Sequence, residues 1–134
     1  MTSEDISATQ DDFVQAAINA MSAGCDGIEI HAGNGYLFDQ FHHSNGKLRL
    51  RRSHDRKLNV IAVNQRNDEY GGSITKRCRF TLETVDKLCS AIGSGRVGVR
   101  LSPFGVFNET KGEDRLEQWL HLCSELSKRN IAYV

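Results

Sequence analysis

Apolar residues recur at helical spacing in three stretches of the chain, and each stretch leads into a short apolar run. The first helix is predicted from Asp5 to Ala23, with Thr2 or Ser3 available as its N-cap and Gly24 as its stop. The apolar run that follows at once, GIEI, has the length of a strand. A helix that passes through a glycine into a strand is half of an α/β unit.

The same order of elements occurs twice more. A second helix is predicted from Ser73 to Ile92, and a second strand from Arg96 to Ser102. A third helix is predicted from about Glu113 to Lys128, and the run IAYV begins a third strand that reaches Val134. Strands separated by helices of this length pair in parallel through right-handed crossovers. The predicted fold class is therefore α/β, with helices covering about three consecutive parallel strands.

One segment departs from this pattern. Gly46 to Ala62 holds a basic run without clear periodicity between two loop-like stretches, HHSN and VNQRNDEYGGS. The cluster from Lys47 to Arg52 could attract phosphate, but no aromatic residues are interleaved with it, so a solvated loop is the simpler interpretation. We interpret residues 46–62 as an insertion, such as an intron retained in frame, that interrupts a domain spanning residues 3–134.

Composition indicates one globular unit, with 39% hydrophobic and 25% charged residues. Basic and acidic residues both number 17, so net charge favours neither nucleic acid nor an anionic membrane as a partner. The sequence contains no apolar run long enough to cross a bilayer, and its N-terminus is acidic and polar where a signal peptide would be basic and then apolar. We expect a cytoplasmic protein with neither a nucleic-acid nor a membrane partner.

The cysteines stand singly along the chain, at Cys25, Cys78, Cys89 and Cys123. The absence of a CxxC pair argues against both a zinc site and a dense disulfide framework. Unpaired cysteine packs as a small hydrophobic residue, so we expect free thiols that are mostly buried.

Two apparent ligand motifs have a simpler explanation. Gly93 to Gly98 reads GSGRVG and matches the dinucleotide-binding pattern, but its glycines end a helix and enter a strand, which is the reverse of the order that pattern requires. His42, His43 and His54 lie in an irregular region without carboxylates at ligand spacing. We expect neither a Rossmann site nor a metal site.

The stretch GIEIHAGNGYLFDQF carries the candidate chemistry. In a parallel α/β protein the loops after the carboxyl ends of strands form the binding face, which is where His31, Asn34 and Tyr36 lie. Together they supply two hydrogen-bond donors and a phenolic proton source, and Gly33 and Gly35 allow a tight turn. A single histidine at a strand end is more often structural, so this pattern leaves both interpretations open.

Three motifs together resemble consecutive signatures of the Old Yellow Enzyme family. They read AAINAMSAGCDGIEIHAGNGYLFDQF, RNDEYGGSITKRCRFTLETVD and RVGVRLSPFG, and they cover nearly the whole chain apart from residues 46–62. The family consists of FMN-dependent NAD(P)H ene-reductases built on a TIM (β/α)8 barrel. Because such a barrel takes about 250 residues and eight strands, the resemblance implies a partial barrel that is incomplete at both ends.

The resemblance also implies roles for individual residues. His31 and Asn34 match the pair that hydrogen-bonds the carbonyl or nitro oxygen of the substrate, and Tyr36 matches the general acid that protonates the alkene. Arg100 matches the arginine beside the N1 and O2 edge of non-covalently bound FMN, where its permanent charge would stabilise the reduced flavin. NADPH or NADH would be the hydride donor, and an enone-type small molecule the substrate. The Asp68 to Ser73 stretch matches an architectural loop and helix start.

A partial barrel raises an alternative. Its sheet would expose two unpaired edges and an apolar inner face, which favour self-association, and the isolated chain would hold FMN weakly because most flavin contacts lie elsewhere in a barrel. The alternative to an ene-reductase is therefore a non-catalytic truncated remnant that at most binds a partner through its open edges. A yellow chain reduced by NADPH would favour the enzyme, and a colourless oligomer would favour the remnant.

Overall fold

A computed structural model of the chain describes residues 1–43, 63–104 and 115–134. The helices are α1 (Ser3–Ser22), α2 (Leu37–His42), α3 (Ile74–Ile92) and α4 (Arg115–Ser127), and the strands are β1 (Ile28–His31) and β2 (Val97–Arg100). Among these helices, none is long and apolar enough to cross a bilayer. The predicted order helix, strand, helix, strand, helix is confirmed, with α2 as an additional element. The predicted insertion and its basic run lie outside the described residues.

Side-chain caps fix the starts of the two long helices. The Thr2 hydroxyl accepts a hydrogen bond from the Asp5 N–H at 3.2 Å, and the Thr2 N–H donates to the Asp5 carboxylate at 2.7 Å, which forms a capping box. Gly24 follows α1 with a φ of 93°, a backbone conformation that suits glycine at a helix end. The Ser73 hydroxyl accepts from the Lys76 N–H and begins α3. Helix α1 therefore begins two residues before the predicted Asp5, with Thr2 of the two candidates as its N-cap, and Ser73, the predicted start of the second helix, is the N-cap of α3.

The two strands pair in parallel, with Ile28 opposite Val97 and His31 opposite Arg100. The 3-10 turn Ser94–Arg96 joins α3 to β2, so the glycines around it do end a helix and enter a strand.

The third predicted strand is present only as a single bridge. Tyr133 forms an isolated parallel bridge with Gly98, on the side of β2 away from β1. The Ala132 N–H donates to the Val97 carbonyl at 2.9 Å, and the Val99 N–H donates to the Tyr133 carbonyl at 3.2 Å. These bonds have the predicted parallel direction, but only one residue of the IAYV segment forms a bridge. The described residues therefore contain two strands rather than three.

The paired strands have a buried face and an open face. Ile30, Val97 and Val99 are at most 3% exposed and belong to the hydrophobic core. The opposite face carries the alternate residues of both strands: Glu29, His31, Gly98 and Arg100. The expected apolar inner face is therefore wrong, because charged or polar side chains occupy three of these four alternate positions.

Helix α3 lies at the centre of the helical layer and contacts α1, α2, α4 and β2. Phe80 of α3 stacks on Phe38 and Phe41 of α2, with ring centroids 4.9 and 4.4 Å apart. Phe13 of α1 lies 5.0 Å from Phe38 and extends the row. Such pairs contribute about 0.5–1.5 kcal/mol each beyond the burial of their area, so this row holds the short helix α2 against the two long ones.

All four cysteines are unpaired, as predicted, but their predicted burial is mostly wrong. Cys78 is buried within α3, where loss of solvation raises the pKa of its thiol to about 12. Cys89 is half-buried, while Cys25 and Cys123 are exposed. Cys25 lies in the turn after α1, and Cys123 lies on the outer side of α4, so neither faces the core.

Candidate functional site

The candidate site lies at the carboxyl ends of β1 and β2. His31 is the last residue of β1 and is in register with Arg100, the last residue of β2. The Ala32 N–H donates to the Arg100 carbonyl at 2.8 Å, so the two strands stay joined one residue further. The side chains of His31 and Arg100 therefore leave the same open face of the sheet from adjacent positions.

A tight turn, residues 33–36, connects β1 to α2. Asn34 and Gly35 have φ angles of 57° and 75°, and asparagine is one of the few residues other than glycine that adopt this left-handed region readily. The Asn34 N–H donates to the Ser102 hydroxyl at 2.6 Å, which ties this turn to the loop after β2. A Cβ atom on Gly33 would lie 2.8 Å from the same hydroxyl oxygen. The two glycines thus act as predicted, one through its φ angle and one through close approach.

The turn brings two of the predicted site residues into contact. The rings of His31 and Tyr36 lie 5.7 Å apart between centroids and are tilted by 53°. Tyr36 is 52% exposed, and His31 and Asn34 are also exposed. Arg100 lies across the strand pair from His31, with 68% of its side chain exposed. All four predicted site residues are therefore accessible and lie on one end of the sheet or on the turn that leaves it.

Two further residues belong to this open face. A carboxylate oxygen of Glu29 lies 3.8 Å from the Arg100 guanidinium, and its other oxygen accepts a hydrogen bond from the Tyr133 hydroxyl at 2.9 Å. This hydrogen bond raises the pKa of Tyr133. Sequence reasoning missed both residues, although the position of Glu29, two before His31 in a strand, predicts that the two side chains share a face.

A buried carboxylate, Asp39, lies beneath the turn. Asp39 is 1% exposed; one of its oxygens accepts from the Gly35 N–H at 2.7 Å, and the other lies 3.0 Å from His43 Nε2. Burial by itself would raise the pKa of Asp39, but the contacts from His42 and His43 and the Gly35 N–H overcome that effect and hold it below its usual range. The buried carboxylate is therefore ionised and bonded.

The two histidines of this region are core residues. His42 Nε2 lies 2.6 Å from the Thr81 hydroxyl, and both imidazoles pack edge-on against Trp119 at 5.4 and 6.0 Å. Burial lowers the pKa of His42. The prediction that His42 and His43 lie in an irregular region without carboxylates at ligand spacing is wrong, since His42 ends α2 and Asp39 lies one helical turn before both. No group of His, Cys, Asp and Glu within the described ranges could hold a metal ion, and His54 lies outside them.

The Asp68 to Ser73 stretch forms a structural loop. The Asp68 carboxylate accepts from the Tyr70 N–H at 3.0 Å, and the Tyr70 hydroxyl donates to Glu83 at 2.9 Å. Asn64 donates to the carbonyls of Phe41 and Tyr70 at 2.8 and 2.7 Å, which joins this loop to α2. These contacts fit the architectural role expected from the sequence.

Comparison with known proteins identifies the class to which this fold and site belong. A model of the NADH:flavin oxidoreductase / NADH oxidase family matches residues 1–49 and 56–134. The chain therefore belongs to this family. Its members use FMN, with NAD(P)H as the hydride donor.

The chain is similar to several known proteins along its whole length. It is 42% identical, over 100% of the chain and 32% of the relative, to a probable flavin mononucleotide-dependent alkene reductase of Leishmania infantum. It is 42% identical, over 97% of the chain and 30% of the relative, to 12-oxophytodienoate reductase 2 of Arabidopsis thaliana. The structure of the old yellow enzyme homologue from Zymomonas mobilis matches 98% of the chain and 32% of that protein, with a TM-score of 0.83 and 32% identity. The chain spans about a third of the length of these relatives.

The likeness to the Zymomonas mobilis structure confirms the α/β class and the TIM-barrel family. The residues described here also fit a flavin. Arg100 presents a permanent cation on the open face of the sheet, with most of its side chain exposed, so it could pair with an anionic ring edge. Glu29 beside it holds the guanidinium without covering it.

Proposed function

We propose that this chain supplies part of the active site of an FMN-dependent ene-reductase, which reduces the C=C bond of α,β-unsaturated carbonyl compounds with NADPH or NADH. The observation that carries the proposal is the register of His31 with Arg100 at adjacent strand ends, with the Tyr36 ring 5.7 Å from His31. The names of the relatives in Leishmania infantum and Arabidopsis thaliana, an alkene reductase and an oxophytodienoate reductase, support the same reaction class.

In this proposal His31 and Asn34 bind the substrate oxygen. Both side chains carry N–H donors, and both are exposed at the end of the strand pair. Two donors on one carbonyl oxygen withdraw electron density from the conjugated alkene and stabilise the negative charge that develops on that oxygen. The fixed turn between the two residues lets them meet one oxygen without a large reorganisation.

Tyr36 is the proton donor in this proposal. Its phenol ring lies against the His31 ring, so a substrate held by His31 would extend towards the Tyr36 hydroxyl. A positioned general acid contributes typically about 10²–10⁴-fold to the rate of its step. Tyr36 would deliver its proton to the α-carbon of the alkene.

Arg100 would hold FMN in this proposal, through its guanidinium on the open face of the sheet. When bound, FMN supplies the hydride that is added to the β-carbon. The permanent charge of Arg100 would favour the anionic state of the reduced ring. Glu29 lies 3.8 Å from the guanidinium and places a carboxylate beside it.

The cellular location of the protein and its partners remain predictions. We expect a cytoplasmic enzyme that acts on a small enone-type molecule. Self-association through exposed surface is a second candidate property, and several large apolar side chains favour it. They are Phe104, Leu116 and Leu120, which are 88%, 70% and 62% exposed. A colourless oligomer that NADPH does not reduce would favour the non-catalytic alternative.

The general-acid role can be tested in a chimera in which residues 1–134 replace the matching third of the Zymomonas mobilis homologue, hereafter the chimera. Stopped-flow absorbance at the flavin band would follow reoxidation of the reduced chimera by 2-cyclohexenone and by a quinone. Tyr36→Phe should slow the enone by about 10²–10⁴-fold and leave the quinone nearly unchanged, since a quinone needs no proton on carbon. Tyr70→Phe, a matched tyrosine bonded to Glu83, should change neither. Equal slowing of both oxidants by Tyr36→Phe would contradict the assignment.

A further inference from the structure

The turn that carries Asn34 and Tyr36 is held in an uncommon backbone conformation. Asn34 and Gly35 are two successive residues with positive φ, at 57° and 75°. Asparagine adopts this region more readily than most residues, but a run of two such residues still depends on the contacts that fix it. The contacts that fix this turn therefore decide where Asn34 and Tyr36 lie.

Helix α2 satisfies both backbone polar groups of Gly35. The Gly35 N–H donates to the Asp39 carboxylate at 2.7 Å, and the Gly35 carbonyl accepts from the Gln40 side-chain amide at 2.8 Å. The bond to Asp39 is charge-assisted and therefore stronger than one between neutral groups. The peptide units on the two sides of Gly35 are thus held by two successive residues of one helix.

Asp39 is itself fixed in place. It is 1% exposed, its second oxygen lies 3.0 Å from His43 Nε2, and its neighbour in sequence, Phe38, is buried against Phe80. A carboxylate anchored in this way cannot follow a displaced turn. It acts as a rigid reference for Gly35 rather than as a flexible surface acceptor.

We propose that Asp39 is a positioning residue: by holding the Gly35 N–H from within the core, it sets the places of the two candidate site residues Asn34 and Tyr36. The inference rests on the proposed function, because it is for alkene reduction that these places matter. A misplacement of about 1 Å in a catalytic group can cost about 10²-fold in rate. Asp39 touches no substrate in this account and acts only through the turn.

The first arm of the test needs no catalysis. Amide hydrogen exchange of Gly35 is measured by NMR in the purified chain. Asp39→Ala should speed exchange by about tenfold or more, because it removes a hydrogen bond to a charged group. Asp39→Asn keeps an acceptor oxygen for Gly35 but loses the charge, so it should speed exchange less than Asp39→Ala does.

The second arm uses the chimera and separates positioning from general stability. Asp39→Ala should lower kcat with an enone by about 10²-fold while reduction by NADPH falls less, and Asp39→Asn should restore most of the enone rate. Thr84→Val is the matched control, since it also removes a buried hydrogen bond, from the Thr84 hydroxyl to the Phe80 carbonyl, but lies within α3. It should leave both half-reactions unchanged.

The outcomes distinguish this inference from the proposed function. An unsubstituted chimera that does not reduce enones would overturn the proposed function, and Gly35 exchange would then decide alone whether Asp39 positions the turn.

An active chimera in which Asp39→Ala changes neither exchange nor the enone rate would overturn the inference. An Asn variant as impaired as the Ala variant would also overturn it, since the charge rather than the held geometry would then matter. If Asp39→Ala does not fold, Asp39→Ser, which keeps a polar but shorter side chain, should speed Gly35 exchange and lower the enone rate, and unchanged values would overturn the inference.

Discussion

The two faces of the β1–β2 pair differ in burial, although both are formed by the same four-residue strands. On one face Ile30, Val97 and Val99 are buried in the core. On the other, His31 and Arg100 are exposed at the end where the strands leave the sheet. The alternation of side chains along a strand separates these two sets completely.

Parallel strands are usually buried on both faces and read as continuous apolar runs. Polar residues are therefore unusual on such a strand pair, and those of this pair contact one another. Glu29 bonds Tyr133 and lies near Arg100, so the open face is a connected polar surface rather than a set of isolated solvated side chains. A substitution on one face should therefore affect stability, and a substitution on the other should affect chemistry.

The largest difference between the effect on rate and the effect on stability is expected for a substitution of His31. In the chimera, His31→Ala should lower the rate of enone reduction by about 10²–10³-fold, the usual effect of removing one donor to a developing oxyanion. Because the side chain is exposed, the free energy of unfolding should change by less than about 0.5 kcal/mol. Stopped-flow kinetics and urea unfolding measure the two quantities. A loss of stability large enough to explain the loss of rate would show that His31 is a structural residue and does not bind the substrate.

Local features of this fold could be predicted from the sequence because their causes are local. Thr2 and Ser73 cap helices through residues three positions away, and the alternation of Glu29 and His31 needs only the strand geometry. The IAYV segment could not be judged in this way. Whether it forms a strand depends on how far it pairs with β2, and Tyr133 alone forms a bridge.

The second prediction concerns the buried face. Val99→Ala should lower the free energy of unfolding of the chain by about 2 kcal/mol, through lost apolar burial and the cavity left behind. Arg100→Ala, the next residue on the same strand, should change it by less than about 1 kcal/mol, because its contact with Glu29 is solvent-exposed. Urea unfolding followed by circular dichroism gives both values. Equal losses for the two variants would mean that the open face is also part of the core.

The third prediction tests the connection within the open face. A Cβ atom on Gly98 would lie 2.4 Å from the Tyr133 ring, so Gly98→Ala must displace that ring. The displaced Tyr133 should lose its hydrogen bond to Glu29. Tyr133→Phe removes the same bond without displacing the ring and is the matched control. If NMR shows the Tyr133 ring signals unmoved in Gly98→Ala, the ring does not lie over Gly98.

The least predictable part of the site was α2 and the cluster below it. A six-residue helix is too short for hydrophobic periodicity to be tested, since that signal needs a window of about 11–18 residues. Asp39 and His42 also interrupt its apolar residues. The burial of His42 is explained by partners distant in sequence, Thr81 and Trp119. The one available signal was the spacing of Asp39 to His42 and His43, which is that of neighbours on a helix face.

The smallest effect is expected from deleting residues 46–62. If this segment is an insertion into the family fold, joining residue 45 to residue 63 should leave the amide signals of β1, β2 and the turn at residues 33–36 unchanged in NMR spectra, and both faces of the strand pair should keep their properties. The family model matches residues 46–49 and 56–62 and leaves only residues 50–55 unmatched, so an insertion over residues 46–62 stays a prediction. Asn64→Ala provides the control, because Asn64 lies beside the deleted segment and bonds the Phe41 and Tyr70 carbonyls. It should destabilise the chain by about 1–3 kcal/mol through unpaired buried groups. A deletion that shifts the signals of His31 and Tyr36, or that destabilises the chain as much as Asn64→Ala, would show that the segment belongs to the fold.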